Sequence, residues 1–249
     1  MTSTERFAWE WKKYSAIEPA QELQFNKWTA PLKEGFKDKV ILDAGCGNGR
    51  NSYWMIRKNA KSIQAFDYDL DTVKTASYNL SYYYPEVNVF YKSIYNIKFE
   101  NEFDLVISLG VIHHLEYPKK AMQKLYNATK EGGKCLIGVY AYEGNEKIVK
   151  YINPIRKITS RLPIRLTHLI AYFFSIPLYV FVRTFAKGEY FEMLRHFKFR
   201  QIHSICFDQL IPRIANYWKK EEVLELMKPF KNVTIHKINN NWWTAIGEK

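Results

Sequence analysis

The chain has 249 residues, 47% of them hydrophobic, enough for a sizeable core in one domain carrying an insertion. Its net charge of +12 puts nucleic acid and anionic lipid among the partners to be weighed. Cys46, Cys135 and Cys206 are widely spaced with no C-x-x-C pair, which argues against a disulfide framework or a cysteine zinc site, and no metal is expected. The chain opens on Thr, Ser, Glu and Arg, not on an apolar run, so no signal peptide is read. The expected compartment is the cytoplasm, with membrane association left open.

From the N-terminus, residues 1–38 read as a helical cap. Within it, Phe7, Trp11 and Tyr14 fall on one helical face. The apolar run Val40 to Leu42 then ends in Asp43 and a glycine-dense turn, Gly45-Cys46-Gly47-Asn48-Gly49, followed by a helix over 51–58. Three glycines in five positions admit backbone angles that a side chain forbids. A dinucleotide fingerprint, G-x-G-x-x-G, would place its third glycine at position 50, which is Arg50. The next apolar run, Ser62 to Phe66, ends at Asp67, 18 residues past Gly49. Phe103 to Gly110 reads as a strand, Val111 to Leu115 as the turn after it, and Pro118 as the start of a helix with Ala121, Met122, Leu125 and Thr129 on one face. Glu131 to Lys134 is expected to stop that helix, and Cys135 to Tyr140 gives another strand. Val223, Leu226, Met227 and Phe230 form a last helical stripe. Val233 to Ile238 and Trp242 to Gly247 flank Asn239-Asn240-Asn241, a three-residue hairpin signal.

The glycine turn with its second-strand acid, the His113-His114 pair after the fourth strand and the Gly132-Gly133 stop resemble the class I S-adenosylmethionine (SAM)-dependent methyltransferases. Phe7-Ala8-Trp9-Glu10-Trp11 is similar to the F-G-x-E-W opening of a bacterial subgroup of that superfamily, with Ala8 where the subgroup has glycine. Phe207-Asp208 to Pro212-Arg213 resembles the same subgroup's F-D-x-x-x-P-R element. The resemblance implies an α/β, Rossmann-like sheet of seven strands with an antiparallel C-terminal hairpin. Residues 39–142 would form the SAM-binding core, 143–216 a helical insertion or lid, and 217–249 a helix and hairpin completing the core. SAM is the implied cofactor and S-adenosylhomocysteine the product. Asp43 would bind the methionyl ammonium, directly or through water, the competing reading being a helix-capping acid. Amides from Gly45 through Cys46 and Gly47 to Gly49 would approach the methionyl part. Asp67 would take the ribose hydroxyls, with Tyr68 beside the adenine and Leu109 nearby. Ile94 occupies the place of the family's adenine-binding acid, so its backbone and Ser93 are expected to hold the base.

Methyl transfer is in-line displacement on an activated carbon, so positioning is the main task, and a hydroxyl or protonated amine acceptor also needs a base. His114, or else His113, is the expected base, each with an alternative role in orienting its loop. Trp9, Tyr14, Tyr140, Tyr142 and Asp208 are candidates for the acceptor side. For Trp9 and Tyr14 the competing reading is that they dock the N-terminal helix, and for Tyr140 that it packs.

Between Lys147 and Lys187 lie six further Lys or Arg residues and no acid, while the 17 residues Leu166–Val182 carry no charge if His168 is neutral. Pro177 is expected to interrupt that run, which falls short of the ~20 residues of a bilayer span. A lid over the catalytic domain, contact with a membrane surface or amphipathic substrate, and a transmembrane anchor compete. The motifs for exocyclic-amine methylation ([D/N]-P-P-[F/Y/W]) and for carbon-5 pyrimidine methylation (Pro-Cys) are both missing. The expected acceptor is therefore a small or amphipathic molecule offering O or N, and nucleic acid is not the expected partner. An RNA methyltransferase and a SAM-binding protein without catalysis are the alternatives.

Overall fold

The structure, a computed structural model, describes all 249 residues. Seven strands form one sheet: β1 (Val40–Ala44), β2 (Ser62–Asp67), β3 (Val87–Tyr91), β4 (Phe103–Leu109), β5 (Thr129–Tyr140), β6 (Lys231–Ile238) and β7 (Trp242–Glu248). Their order is β3-β2-β1-β4-β5-β7-β6. The first five run parallel, and β7 is antiparallel to both β5 and β6. The expected seven-stranded Rossmann-like sheet with its antiparallel hairpin is therefore present.

Burial follows position in the sheet. β4 is central and buries Phe103 and every residue from Leu105 to Leu109, as a parallel strand covered on both faces does. β6 is an edge strand and leaves Lys231, Asn232, His236 and Lys237 exposed, which discourages pairing with another chain. One face packs against α5 (Pro118–Ala128) and α10 (Lys220–Leu226) through Met122, Leu125 and Val223. The other packs against α2 (Gln21–Thr29), α3 (Arg50–Arg57) and α4 (Leu70–Leu80) through Phe25, Met55 and Leu80. Strand order reverses between β1 and β4, and the crevice beyond their carboxyl ends is where such sheets take ligands.

Two details depart from expectation. The helix before β5 ends at Ala128, and Glu131 to Lys134 lies in a bulge of the strand, with Gly132 at φ 71°. Phe103 pairs with Thr129 but Leu105 pairs with Lys134, so the intervening residues loop out. The apolar run after β5 is also not broken by its proline. α7 (Ile164–Thr184) continues through Pro177, which faces solvent, where water can satisfy the carbonyl it leaves free.

Helices fill the stretch between β5 and α10. They are one π-helical turn (Ile148–Ile152), α6 (Asn153–Thr159), α7, α8 (Glu189–Arg195) and α9 (Phe199–Asp208). The N-terminal helix α1 (Ser3–Lys13) is capped by Thr2 and Glu5 and locked onto this layer by Arg6. The Arg6 side chain is buried and donates to the Leu162 and Thr159 carbonyls and to Thr167 Oγ1, each at 2.9 Å.

Candidate functional site

A cavity of about 1140 Å³ opens above the carboxyl ends of β1, β2 and β4 and is roofed by α1 and α9. Its floor is the glycine turn. Gly45, Gly47 and Gly49 have φ of 84°, 56° and 84°, in the left-handed region. A Cβ on Gly45 would stand 2.5 Å from Val111 Cγ2, and one on Gly47 3.1 Å from Trp11 Cε2, so both positions demand close backbone approach. Gly49 serves packing instead. Its absent side chain would collide with Leu80 of α4, and it does not line the cavity.

The turn's amides are largely engaged within the protein. Gly45 and Cys46 donate to the Phe66 carbonyl at 2.9 and 3.0 Å, Gly49 donates to the Cys46 carbonyl at 3.0 Å, and Gly47 donates to Asp67 Oδ2 at 3.0 Å. The glycines thus give a ligand room more than donors, a correction to the expectation of an amide cradle. Asp67 also accepts from the Tyr68 amide through Oδ1 at 2.8 Å. Each oxygen keeps a further lone pair, enough for two vicinal hydroxyls. Burial pushes this carboxyl up to about 6, although the Gly47 and Tyr68 amides oppose the shift. Tyr68 stacks on Tyr91 at 5.6 Å beside the opening, and Ser93, Ile94 and Leu109 complete that wall. Asp43 is placed otherwise than expected. It is fully buried beneath the turn, accepts from Ser52 Oγ at 2.6 Å and does not line the cavity; its Oδ1 has no partner, and burial pushes it up to about 6.

The two histidines separate. His114 lines the cavity, and its Nδ1 donates to the Ile214 carbonyl at 2.8 Å, which leaves Nε2 with a free lone pair. Burial pulls its pKa down to about 4, so it is neutral at pH 7. His113 is fully buried, stacks on Tyr140 at 3.8 Å, has no partner on either nitrogen and does not reach the cavity. As a base it is ruled out by geometry.

Tyr140 and Asp208 do meet there, the tyrosine hydroxyl donating to Asp208 Oδ2 at 3.2 Å. Gln209 Nε2 donates to the same hydroxyl at 3.0 Å. Arg156 donates to Gln209 Oε1 at 2.9 Å and to the Tyr217 hydroxyl at 2.8 Å, and the Tyr217 ring stacks on Tyr140 at 5.2 Å. Tyr14 lines the cavity with its hydroxyl 2.9 Å from His168 Nε2. Trp9 does not: it packs on Phe207 and His168 and docks α1. Tyr142 lies outside the cavity, beside Lys219.

Two charged residues of the site carried no site role in the sequence. Arg50 projects from the first turn of α3 into the cavity between the faces of Trp11 and Trp28, 5.5 and 5.8 Å from their centroids. Burial lowers its pKa, and Asp208 and Glu10 act in the opposite sense, yet no protein group forms an ion pair or hydrogen bond with the guanidinium. Glu10 is buried and accepts from Ser204 Oγ at 2.7 Å through Oε1, with Oε2 unpartnered. Burial, then Asp208 beside it, pushes Glu10 well above the usual carboxylate range. The available signal was an acid between two tryptophans, Trp9 and Trp11. For Arg50, a cation directly after the last glycine of the turn was the only hint.

Residues 41–133 match the model of a methyltransferase domain family. Together with the sheet order and the antiparallel hairpin, this makes that stretch a methyltransferase domain on the Rossmann-like fold of the SAM-dependent class. The fold is shared along nearly the whole chain with a SAM-dependent methyltransferase from Thermotoga maritima (TM-score 0.61, 13% identity, 99% of each chain). It is also shared with magnesium protoporphyrin IX methyltransferase from Synechocystis, solved with bound S-adenosylhomocysteine (TM-score 0.55, 12% identity, 93% of this chain and 85% of that one). The cofactor of this class is SAM, and the site fits it: a turn with no room for Cβ atoms, an acid with lone pairs for the ribose and an unpaired cation at the other end.

Among curated proteins, the chain is 32% identical over 123 residues to a tRNA U34 carboxymethyltransferase from Helicobacter acinonychis. The match covers 45% of this chain and 47% of that protein, so the chain spans about half the length of its curated relatives. These relatives overturn the expectation of a small or amphipathic acceptor, and with it the exclusion of nucleic acid. That exclusion rested on two missing motifs, which serve exocyclic-amine and carbon-5 chemistry only. RNA offers other acceptor atoms, and the motifs are silent on them.

Proposed function

We propose that this chain is a SAM-dependent transferase that modifies RNA, with a tRNA uridine as the first acceptor to test. The observation that carries the reading is the kinship with tRNA U34 carboxymethyltransferases. A net charge of +12 supports it, since phosphate neutralisation supplies most of the affinity for RNA. The cavity supports it too, because it exceeds what the cofactor needs and carries a polar wall suited to an unstacked base.

In this reading Asp67 holds the ribose, Ile94 and Leu109 face the adenine, and Arg50 holds the methionyl carboxylate. When bound, SAM supplies an electrophilic carbon with its leaving group already positive. The protein's part is then alignment and exclusion of water. Trp11 closes over Gly47 from α1, so the N-terminal helix covers the methionyl end. On the acceptor side, Asp208, Tyr140, Gln209 and Tyr217 present donors and acceptors to the edge of a base, in an order fixed by Arg156. His114 Nε2, neutral and free, accepts the acceptor's proton as the new bond forms.

The test is incubation of the purified chain with SAM and bulk tRNA, followed by nucleoside mass spectrometry. A uridine heavier by one methyl group is the expected result. Bound SAM with no modified nucleoside in any RNA fraction overturns the reading.

A further inference from the structure

α7 is amphipathic in the reverse sense. Its inward face carries Thr167, His168, Ala171 and Ser175, all buried, while its outward face carries Leu166, Leu169, Phe173, Ile176 and Val180. The outward residues recur at intervals of three and four and so form one stripe, about 21 Å long at helical rise. Phe173 is 80% exposed, Leu169 60%, Ile176 52% and Val180 51%. Isolated apolar side chains are ordinary on a surface, but a contiguous stripe marks a contact.

The inward face fixes the helix in this orientation. Thr167 Oγ1 donates to the Thr159 carbonyl at 2.8 Å and accepts from Arg6 at 2.9 Å. His168 Nε2 meets the Tyr14 hydroxyl at 2.9 Å, and Ser175 Oγ meets His203 Nδ1 at 2.8 Å. At 21 residues the helix is long enough to span a bilayer, but spanning would strip these polar partners from one whole face. It lies flat instead. Exposed cations frame the stripe at both ends: Lys157, Arg161 and Arg165 before it, Arg183 and Lys187 after it. No acid occurs between Lys147 and Lys187.

We propose that the outward face of α7 seats this protein on an anionic lipid bilayer. Leu169, Phe173 and Ile176 enter the boundary between headgroups and acyl chains, and the flanking Lys and Arg contact lipid phosphates. Charge selects this occupant. A second copy on the same face would bring five cations against five, and RNA would satisfy the cations but leave the apolar stripe uncovered. The inference does not rest on the RNA reading, and each can fail alone.

The experiment is co-sedimentation of the whole chain with vesicles of phosphatidylcholine alone or mixed with phosphatidylglycerol. The wild type is expected to pellet with the anionic vesicles and to be released by high salt. Leu169→Ser/Phe173→Ser/Ile176→Ser, with circular dichroism to confirm folding, should lower the partition coefficient about tenfold or more. Arg161→Gln/Arg165→Gln, which leaves every apolar contact in place, should lower it severalfold. A wild type that stays in the supernatant overturns the proposal, as does serine-variant pelleting equal to wild type. A wild-type dimer that the serine variant converts to monomer also overturns it and makes the face a self-association surface. Should the serine variant unfold, unchanged pelleting of the glutamine variant overturns it equally.

Discussion

The two walls of the cavity are built by opposite means. The sheet wall is local: the glycine turn, Asp43 buried beneath it and Asp67 lie within 25 consecutive residues, and their positions follow from two strand ends. The helical wall is assembled from afar, with Tyr140 meeting Asp208 across 68 residues and Glu10 meeting Ser204 across 194, while behind it Arg6 meets Thr167 across 161. The sheet wall works through backbone and space, the helical wall through side-chain charge and hydrogen bonds. A change in the first should therefore be read in cofactor affinity, and a change in the second in turnover.

The largest expected effect tests that division at His114, which follows β4 but is oriented from the helical side by the Ile214 carbonyl. His114→Ala removes the free Nε2 and should lower the transfer rate about 10²–10⁴-fold while leaving SAM affinity near wild type. Equal losses of rate and affinity would erase the distinction between the walls. His113 is the control next door. His113→Leu removes two unpartnered nitrogens from a fully buried place and should keep turnover, with stability unchanged or raised by about 1–3 kcal/mol. Thermal melting and a rate assay on both variants decide between the two histidines.

Arg50 is the point where the walls meet, since it springs from the glycine turn but faces Glu10 and Asp208. Arg50→Met keeps the stem between Trp11 and Trp28 and deletes the charge. A lost charge-assisted hydrogen bond is worth about 1.5–3 kcal/mol, so SAM should bind roughly 10- to 100-fold more weakly. An analogue lacking the carboxylate should bind wild type and variant alike, and calorimetry reads both. Should the variant bind SAM as wild type does, Arg50 belongs to the acceptor side.

This contrast also explains what could be read from the sequence. The sheet, its hairpin and the place of Asp67 were legible because spacing along a short segment fixes them: Asp67 ends the strand next to the one that carries the turn. Asp43 was misjudged because the same spacing cannot tell an acid at the rim from one beneath the turn, which depends on Ser52 reaching back from α3. His113 and His114 are adjacent and alike in sequence, and only the carbonyl of Ile214, 100 residues away, distinguishes them. Arg156 orders Gln209 and Tyr217 from a stretch that reads only as a basic, apolar run. The proposed acceptor class was missed for a related reason: a wall suited to a base has no compact motif, and Tyr140, Asp208, Gln209 and Tyr217 are spread along the chain.

The smallest expected effect is graded, and it returns to the sheet wall. Asp43 and Asp67 are both pushed up to about 6 by burial, whereas an unfolded Asp titrates near ~3.9. Between those values the folded chain binds more protons than the unfolded one, so their contribution to stability falls as pH rises from about 4 to about 6 and is flat above. Ribose hydroxyls donate to a carboxylate, so the cofactor favours ionised Asp67. SAM affinity should then rise with pH, approaching about tenfold per unit below pH 6, and level off above it. The added melting temperature conferred by SAM should be larger at pH 7.5 than at pH 5. Asp67→Asn binds more weakly, but it should also flatten the profile, which a general acid destabilisation would not do. Glu10 and Asp208, also raised by burial, face the same cavity and remain in the variant. A slope that survives Asp67→Asn would therefore assign the proton to the helical wall and remove the ribose role from Asp67.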